Sequence, residues 1–344
     1  MKVYCDNDNC KWHCRQLNLD YSLTEIQPIA LFEVPWHFES DGPAWIKRVK
    51  HAQQRSQLVI IICNEIHDDT YKWIEQFRYD NVQFVTCGEL NTFNNLSYMD
   101  WFQRTVKHYK DGKLLEDLQP YAYKEKNFDV LLGRTRKHRS KVWRWFHTAP
   151  NEHHLKYNIV TYIGTTRAFI NEPGVRYTPS QPTLEHTIQE VIYKGHRMSY
   201  SQIVPTSLYN QTAYSLVTET THHNGYSFMT EKIVKPILAE RFFMVYSGTG
   251  YLAKLRELGF RTFSDLVDES YDEEPDLDKR WMTIAQNFNY MCMMQTNFVQ
   301  ESLKPILKHN KECMLETDWH DKFKEQITPV IQNVLATSDP VLDK

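Results

Sequence analysis

The apolar run at residues 58–63, LVIIIC, is the feature that most constrains the fold. An unbroken apolar run of this length is typical of a strand that is buried on both faces, as in the centre of a parallel sheet. Similar largely apolar runs occur at residues 1–4, 29–34, 82–87, 128–132, 159–163, 214–217 and 242–246. Helical patterns separate several of these runs, so the sequence predicts an α/β protein with parallel sheets.

The alternation of strands and helices occurs twice along the chain. The 344 residues are enough for two domains. A polar and aromatic stretch at residues 91–126 separates the two halves, and we place the boundary near residue 125. We therefore predict one domain over residues 1–125 and another over residues 126–300. Helices are predicted for the remainder, residues 301–344, where apolar residues recur at helical spacing.

Composition excludes some classes of protein. The chain is 41% hydrophobic and 13% aromatic, which excludes global disorder. Its formal net charge of −3 argues against a general binder of polyanions, but leaves room for a local basic patch. The seven cysteines are odd in number, and no apolar signal segment precedes Cys5. We therefore expect free thiols and a cytoplasmic protein, and the lack of a long apolar run predicts no membrane span.

A basic segment at residues 133–139, GRTRKHR, follows a predicted strand and begins a helix. Arginine binds phosphate oxygens with two parallel hydrogen bonds, and the N-terminus of a helix adds amide donors and a partial positive charge. Ligands bind at the carboxyl edge of parallel strands. We interpret the segment as a phosphate site with Arg134, Lys137 and Arg139. The alternatives are a solvated basic face or a nucleic-acid patch.

A second polar cluster, Thr230, Glu231 and Lys232, begins the helix between the runs at 214–217 and 242–246. Thr230 can cap the helix, and Glu231 suits the positive end of the helix dipole. Lys232 is unfavourable there, and an anionic ligand would remove the conflict. We predict that Glu231 accepts hydrogen bonds from ribose hydroxyls and that Lys232 neutralises a diphosphate.

These segments resemble a known family. Residues 228–233, FMTEKI, followed by Ser247 and Gly248 after a strand, are similar to the donor-binding signature of glycosyltransferases with two Rossmann-like domains, the GT-B fold. The resemblance is greatest to the fucosyltransferase-like branch, in which the Glu and Lys contact the ribose and pyrophosphate of a nucleotide sugar. Residues 133–139 resemble a segment common in bacterial, phage and viral proteins of this kind. The match covers roughly residues 128–265.

The resemblance implies a fold and a reaction. Residues 1–125 would form the acceptor-side domain, residues 126–300 the donor-binding domain, and residues 301–344 helices that pack back on the body. The donor would be a nucleotide-diphosphate sugar, and no metal or other cofactor would be required. The predicted donor-binding residues are Arg134, Lys137, Arg139, Glu219, Phe228, Thr230, Glu231, Lys232 and Ser247.

Inverting sugar transfer also needs a base that takes the proton of the acceptor hydroxyl. The predicted candidates are Glu39, Asp41 and Asp100. Glu39 ranks first because it has aromatic neighbours and because residues 38–40, FES, are similar to a Glu-Ser-Pro segment that is proposed to carry the base in this branch. Asp41 stands where that segment has proline. His37 and the group Glu65, His67 and Asp68 are weaker candidates.

The acceptor stays open. It is either a glycan or a hydroxymethylated DNA base, and the basic segments at residues 47–50 and 134–141 leave DNA in consideration. The alternative to an enzyme is a non-catalytic module that binds nucleotides or nucleic acid.

Two clusters have metal-like spacing. Residues 276–278, DLD, lie in an acidic stretch, and residues 5–14 hold three cysteines and a histidine without a paired CxxC. We predict no metal at either.

Overall fold

The computed structural model describes residues 2–17, 19–34, 38–63, 75–77, 79–90, 95–133, 135–162, 172–177 and 190–336. The fold is mixed α/β with parallel sheets, as the apolar runs predicted. The chain divides into two compact units, one formed by Met1–Asp100 with Asp318–Lys344 and the other by Trp101–Thr317.

The first unit is built around a sheet of six parallel strands. Its elements are β1 (Lys2–Cys5), α1 (Asp8–Gln16), β2 (Asp20–Ser22), β3 (Ile29–Glu33), α2 (Phe38–Gln53), β4 (Leu58–Cys63), β5 (Val82–Thr86), β6 (Gly88–Leu90) and β7 (Asn95–Ser97). Six of these strands form one sheet in the order β2-β1-β3-β4-β5-β7, and every neighbouring pair is parallel. β4 is buried along its whole length, as its apolar run predicted.

The C-terminal helix, Trp319–Ala336, belongs to this first unit. Phe323, Ile327 and Ile331 lie four residues apart on one face of the helix and pack in the same buried cluster as β1, β3 and β4. The phenyl ring of Phe323 lies 4.3 Å from the ring of Tyr98. This packing explains why the end of the chain groups with its beginning.

The second unit has more elements, and helices precede and follow its main sheet. They are α3 (Asp100–Tyr109), β8 (Lys126–Leu132), α4 (Lys137–Phe146), β9 (Ile159–Tyr162), β10 (Val175–Tyr177), β11 (Glu190–Tyr193), β12 (His196–Ser199), α5 (Thr206–Tyr209), β13 (Thr212–Thr218), β14 (Tyr226–Phe228), α6 (Glu231–Leu238), β15 (Phe242–Tyr246), α7 (Tyr251–Glu257), α8 (Leu277–Met293) and α9 (Thr296–Glu316). Short 3-10 helices cover Glu75–Phe77 in the first unit and Lys113–Leu115, Asn151–Lys156, Tyr200–Gln202 and Glu269–Asp272 in the second.

The main sheet of this unit is parallel, with the strand order β15-β13-β8-β9. Its first strand along the chain, β8, lies between β9 and β13. The winding of the chain therefore reverses between β8 and β13, which is the switch point where open α/β sheets bind ligands. A separate antiparallel sheet has the order β10-β11-β12. Its hairpin turns at Lys194 and Gly195, which both have positive φ angles, as a tight two-residue turn requires.

Several boundaries differ from those expected from the sequence. The stretch at residues 91–126 contains α3, and the Tyr109 hydroxyl of that helix bonds to the backbone of Gln202 and Val204, which ties the helix to the second unit. The division of the chain therefore falls near residue 100 and not near residue 125. The segment predicted as residues 301–344 is also divided, since α9 lies in the second unit.

Apolar residues recur at helical spacing over residues 280–307 and predict one long helix, but the structure has two helices there. α8 ends at Met293 and α9 begins at Thr296, with an extended backbone at Met294 and Gln295. Met291 is buried, whereas Met293 is exposed. None of the helices in the described part of the chain is long and apolar enough to cross a membrane.

Candidate functional site

The basic segment after β8 contacts the loop after β13. The Arg139 guanidinium group donates hydrogen bonds to the carbonyl oxygens of Thr218 (3.0 Å) and Glu219 (2.8 Å). His138 Nε2 lies 2.8 Å from the same Glu219 oxygen and donates to it. These three bonds join α4 to the end of β13 and to the first residue of the loop at the switch point.

Arg139 was predicted to bind phosphate, but in the structure its guanidinium group binds backbone carbonyl groups. The side chain is 2% exposed and holds the loop through the two carbonyl groups. A Cβ atom built on Gly133 would lie 3.4 Å from Arg139 Nη1, so the segment packs closely around the guanidinium group. A phosphate contact by Arg139 stays a prediction. Lys137 is exposed at the start of α4, and Arg134 lies outside the described residues.

His138, which belongs to the basic segment but was assigned no role from the sequence, is fully buried beside Arg139. Burial lowers the pKa of its imidazole well below the usual value, and the nearby charges of Arg139 and His222 lower it further. The ring packs 4.9 Å from the ring of His222 and 5.6 Å from that of Tyr246. The neutral ring therefore donates from Nε2 and carries a lone pair on Nδ1.

Glu219 is the most connected side chain of the loop. Its buried carboxylate accepts hydrogen bonds from the hydroxyls of Tyr251 and Thr230, both at 2.8 Å, and from the amides of Thr230 and Thr220, both at 3.3 Å. Burial raises the pKa of Glu219, against the opposing effect of the Lys232 charge. One carboxylate thus joins the loop, the start of α6 and the start of α7.

Thr230 caps α6, as the sequence predicted. Its hydroxyl oxygen accepts hydrogen bonds from the amide of Lys232 (3.3 Å) and from the ammonium group of Lys232 (3.1 Å). The same ammonium group donates to the Thr220 hydroxyl (3.1 Å) and to the Glu231 carboxylate (2.9 Å). The Lys232 side chain is 22% exposed and that of Glu231 is 9% exposed, so water reaches the pair from one side.

The ion pair between Lys232 and Glu231 explains how a lysine is tolerated at the N-terminus of α6. The sequence suggested that an anionic ligand offsets its charge, whereas in the structure Glu231 already places a negative charge beside it. Burial alone would raise the pKa of Glu231, but the charges of Lys232 and Lys235 outweigh burial and lower it. Burial lowers the pKa of Lys235 to about 8. The start of α6 therefore holds a carboxylate that is kept ionised.

The glycine turn after β15 fits closely against the loop after β13. A Cβ atom on Gly248 would lie 1.9 Å from the carbonyl oxygen of His223, so only glycine fits there. The Ser247 hydroxyl donates to the carbonyl of Thr221 at 3.3 Å, and the Ser247 carbonyl accepts a bond from Arg280. Ser247, a predicted donor-binding residue, thus holds two segments of the protein together.

Phe228 was predicted to contact the donor. It is buried, and its ring stacks on Tyr226 at 5.4 Å with 12° between the planes. In the described structure this side chain packs in the core beneath the loop.

Among the candidate bases, the structure describes fewer side chains than among the predicted donor-binding residues. Glu39 and Asp41 fall in α2, directly after β3, but their side chains lie outside the described part of the structure. Asp100, the first residue of α3, is 3% exposed. His37 and the segment with Glu65, His67 and Asp68 also lie outside the described residues.

Both sequence clusters with metal-like spacing have other partners. Asp276 accepts hydrogen bonds from the amides of Asp278 and Lys279 and so caps α8, while Asp278 forms an ion pair with Lys141. The sulfur atoms of Cys5 and Cys14 lie 3.2 Å apart. Among the described residues, no group of three or more His, Cys, Asp or Glu side chains has an arrangement that could hold a metal ion.

Comparison with protein-family models, with curated proteins and with solved structures found no match for this chain. Its candidate site is therefore defined by geometry, as the polar cluster of Glu219, Thr230, Glu231 and Lys232 at the switch point. Sequence reasoning identified these four residues. It missed Tyr251, which has no local pattern to mark it, and Arg280, which it assigned only to a helix.

Proposed function

We propose that this protein is a glycosyltransferase that moves a sugar from a nucleotide-diphosphate sugar to an acceptor hydroxyl. The supporting observation is the pair of Lys232 and Glu231 at the start of α6, where Lys232 contacts Thr220 in the loop that follows β13 at the switch point. A cation and an ionised carboxylate side by side match the two parts of a nucleoside diphosphate. The proposal includes the two-domain GT-B arrangement.

The two side chains have separate roles. The Lys232 ammonium group binds the diphosphate oxygens, and the Glu231 carboxylate accepts hydrogen bonds from the ribose hydroxyls. The Thr220 and Thr230 hydroxyls, which now contact the ammonium group, hold it in place. Lys137 lies exposed at the start of the helix after β8 and adds a positive charge.

The reaction is a direct displacement. The acceptor oxygen forms a bond to the anomeric carbon of the sugar, and the bond from that carbon to the diphosphate oxygen breaks. The electron pair leaves with the nucleoside diphosphate, whose growing negative charge Lys232 stabilises. The acceptor proton passes to a carboxylate, for which Glu39 is the first candidate.

Calorimetric titration with nucleoside diphosphates and nucleotide sugars tests this proposal. We expect the wild-type protein to bind one base preferentially, and K232A to lose at least about tenfold in affinity, as expected when a charged hydrogen bond to phosphate is removed. The matched control is K311A, because Lys311 is 28% exposed and pairs with Glu240 at 2.7 Å, much as Lys232 pairs with Glu231. Undiminished affinity in K232A would contradict the assignment.

The burial of Asp100 favours a second candidate function, a module that binds nucleotides without catalysis. Asp100 is the one candidate base whose side chain is described, and it is 3% exposed. A non-catalytic module that binds nucleotides would need no base. Incubation of a nucleotide sugar with candidate acceptors separates the two, because only the enzyme releases a nucleoside diphosphate, and E39Q should then stop that release.

The acceptor is a glycan hydroxyl or a hydroxymethylated base in DNA. Lys137 and Arg144 are both exposed on α4 and offer positive charge to a phosphate backbone. A salt titration of binding to duplex DNA distinguishes the two acceptors. Affinity that falls steeply with salt supports DNA, and a flat dependence supports the glycan.

A further inference from the structure

We propose that Glu219 is a positioning residue that fixes the Lys232 ammonium group through Thr230. This inference rests on the proposed function and deepens it. The sequence suggested that Glu219 touches the ligand, but its side chain is fully buried and all of its hydrogen bonds given above come from the protein. It therefore acts through its neighbours.

The direction of the hydrogen bonds carries the inference. The amide and the ammonium group of Lys232 can only donate to the Thr230 hydroxyl oxygen, so the single proton of that hydroxyl must point to Glu219. The lone pairs of that hydroxyl are then left for the amide and the ammonium group of Lys232. Glu219 thus sets the orientation of the Thr230 hydroxyl, and the hydroxyl sets the position of the lysine.

Glutamine cannot replace this carboxylate. One oxygen of Glu219 accepts from the Tyr251 hydroxyl and the Thr230 amide, and the other accepts from the Thr230 hydroxyl and the Thr220 amide. Whichever way a glutamine amide is turned, its NH₂ group faces a backbone N–H that cannot rotate. E219Q therefore removes an acceptor beside Thr230 with almost no change in volume.

Tyr251 provides a matched control. Its hydroxyl contacts Glu219 at 2.8 Å from the side of α7, away from the path to Lys232. Y251F removes one donor from the same carboxylate and leaves the Thr230 contact in place. It should lower the melting temperature but leave the position of the Lys232 ammonium group unchanged.

The test compares ligands with and without the diphosphate. Calorimetry measures the affinities of uridine, guanosine, adenosine, cytidine and thymidine and of their 5′-diphosphates for the wild type, E219Q, T230V, T230S and Y251F. We expect E219Q and T230V to weaken diphosphate binding about tenfold while nucleoside binding changes less than about twofold, because only the lysine contact is lost. T230S keeps the hydroxyl and should restore wild-type affinity, and E219Q/K232A should bind no more weakly than K232A.

Two results would overturn the inference. One is an equal loss of nucleoside and diphosphate affinity in E219Q, which would indicate a general structural role. The other is additive losses in E219Q/K232A. Should E219Q fail to fold, T230V and T230S still decide the question.

A second readout separates this inference from the proposed function. If the wild type binds no nucleoside diphosphate, the proposed function fails, but the position of Lys232 can still be measured. NMR of the lysine ammonium groups should show a slowly exchanging Lys232 signal, assigned by its absence in K232A. The signal should persist in Y251F and vanish in E219Q and T230V; an unchanged signal in E219Q would refute the positioning role.

Discussion

The two parallel sheets begin their winding in the same way, yet their carboxyl edges are built differently. In each sheet the first strand lies between the second and a later one, as β1 lies between β2 and β3 and β8 between β9 and β13. At the first switch point Asp6, after β1, pairs with Arg48 of α2, whose side chain is 49% exposed. At the second, the buried side chains of Arg139 and Glu219 hold the loop after β13.

The two carboxyl edges differ in how many helices their polar side chains join to the loop. The Asp6–Arg48 pair joins one loop to one helix. Glu219 joins a loop to two helices, and Arg139 brings in a third. The same strand order therefore offers a position for a ligand, and the side chains decide whether the loop there is loosely or firmly held. Substitutions should have larger effects in the second unit than in the first.

The ion pairs of the two sheets give the largest expected difference. Arg241 lies 2.6 Å from Asp129 on β8, and both side chains are buried. R241A leaves that carboxylate buried and uncompensated, which should cost about 3–5 kcal/mol in the free energy of unfolding. R48A also leaves a buried carboxylate, since the Asp6 side chain is 0% exposed, but Arg48 itself is half-exposed and water can take its place, so the cost should be smaller, about 1.5 kcal/mol. Arg241 directly precedes β15, so this pair lies at the amino end of the second sheet. Urea denaturation followed by circular dichroism measures both losses, and equal losses would show that the charges of the second unit are no more dependent on their partners than the pair at the first edge.

The glycine turn should show the next largest effect. In G248A the new methyl group meets the backbone carbonyl of His223, which no rotamer change can relieve. We expect a loss of about 3 kcal/mol from overpacking. Gly112 is the control, because it has a φ of +73° but nothing within 4 Å of a built Cβ atom. G112A should cost only the backbone strain of about 1 kcal/mol, and a smaller loss in G248A than in G112A would contradict the close fit.

The fold was largely readable from apolar runs. Residues 58–63 and 242–246 were predicted with the bounds that the structure has, because an unbroken buried run ends where its polar neighbours begin. The start of α2 was not, because Gly42 and Pro43 are typical of a turn but lie inside the helix. The break between α8 and α9 falls at two residues without a glycine or proline to mark it.

Only part of the candidate site could be predicted from the sequence. Thr230, Glu231 and Lys232 are adjacent, so their chemistry is visible in the sequence. Tyr251 reaches Glu219 across 32 residues, and no local period encodes that contact. The buried contacts of Glu219 thus depend on tertiary packing, which cannot be predicted from strand order or from helix caps.

The dependence of stability on pH tests the buried charges of the second edge. Burial lowers the pKa of Lys235 to about 8 from an ordinary value of 10.5. Between these values the unfolded chain binds a proton that the folded protein does not, so the free energy of unfolding should rise with pH. The contribution is at most about 1.4 kcal/mol per pH unit.

K235M should remove that slope between about pH 8 and 9.5 relative to the wild type, as read from urea denaturation at several pH values. K308M, at an exposed lysine on α9, is the control and should keep the slope. A wild-type slope in K235M would mean that Lys235 keeps its proton through this range.

The two helix caps give the smallest expected difference and test the comparison most directly. Asn7 caps α1 with one bond, accepted from the amide of Cys10 at 3.1 Å, and N7A should cost about 1 kcal/mol. Thr230 caps α6 and also donates to Glu219, so T230A loses a cap and leaves a buried carboxylate short of a donor. Its cost should be about 2 kcal/mol. Because Asn7 and Thr230 both cap a helix through a side-chain oxygen, the excess cost in T230A measures what the buried carboxylate adds. Equal costs in thermal melts of the two variants would mean that Glu219 contributes nothing to holding α6.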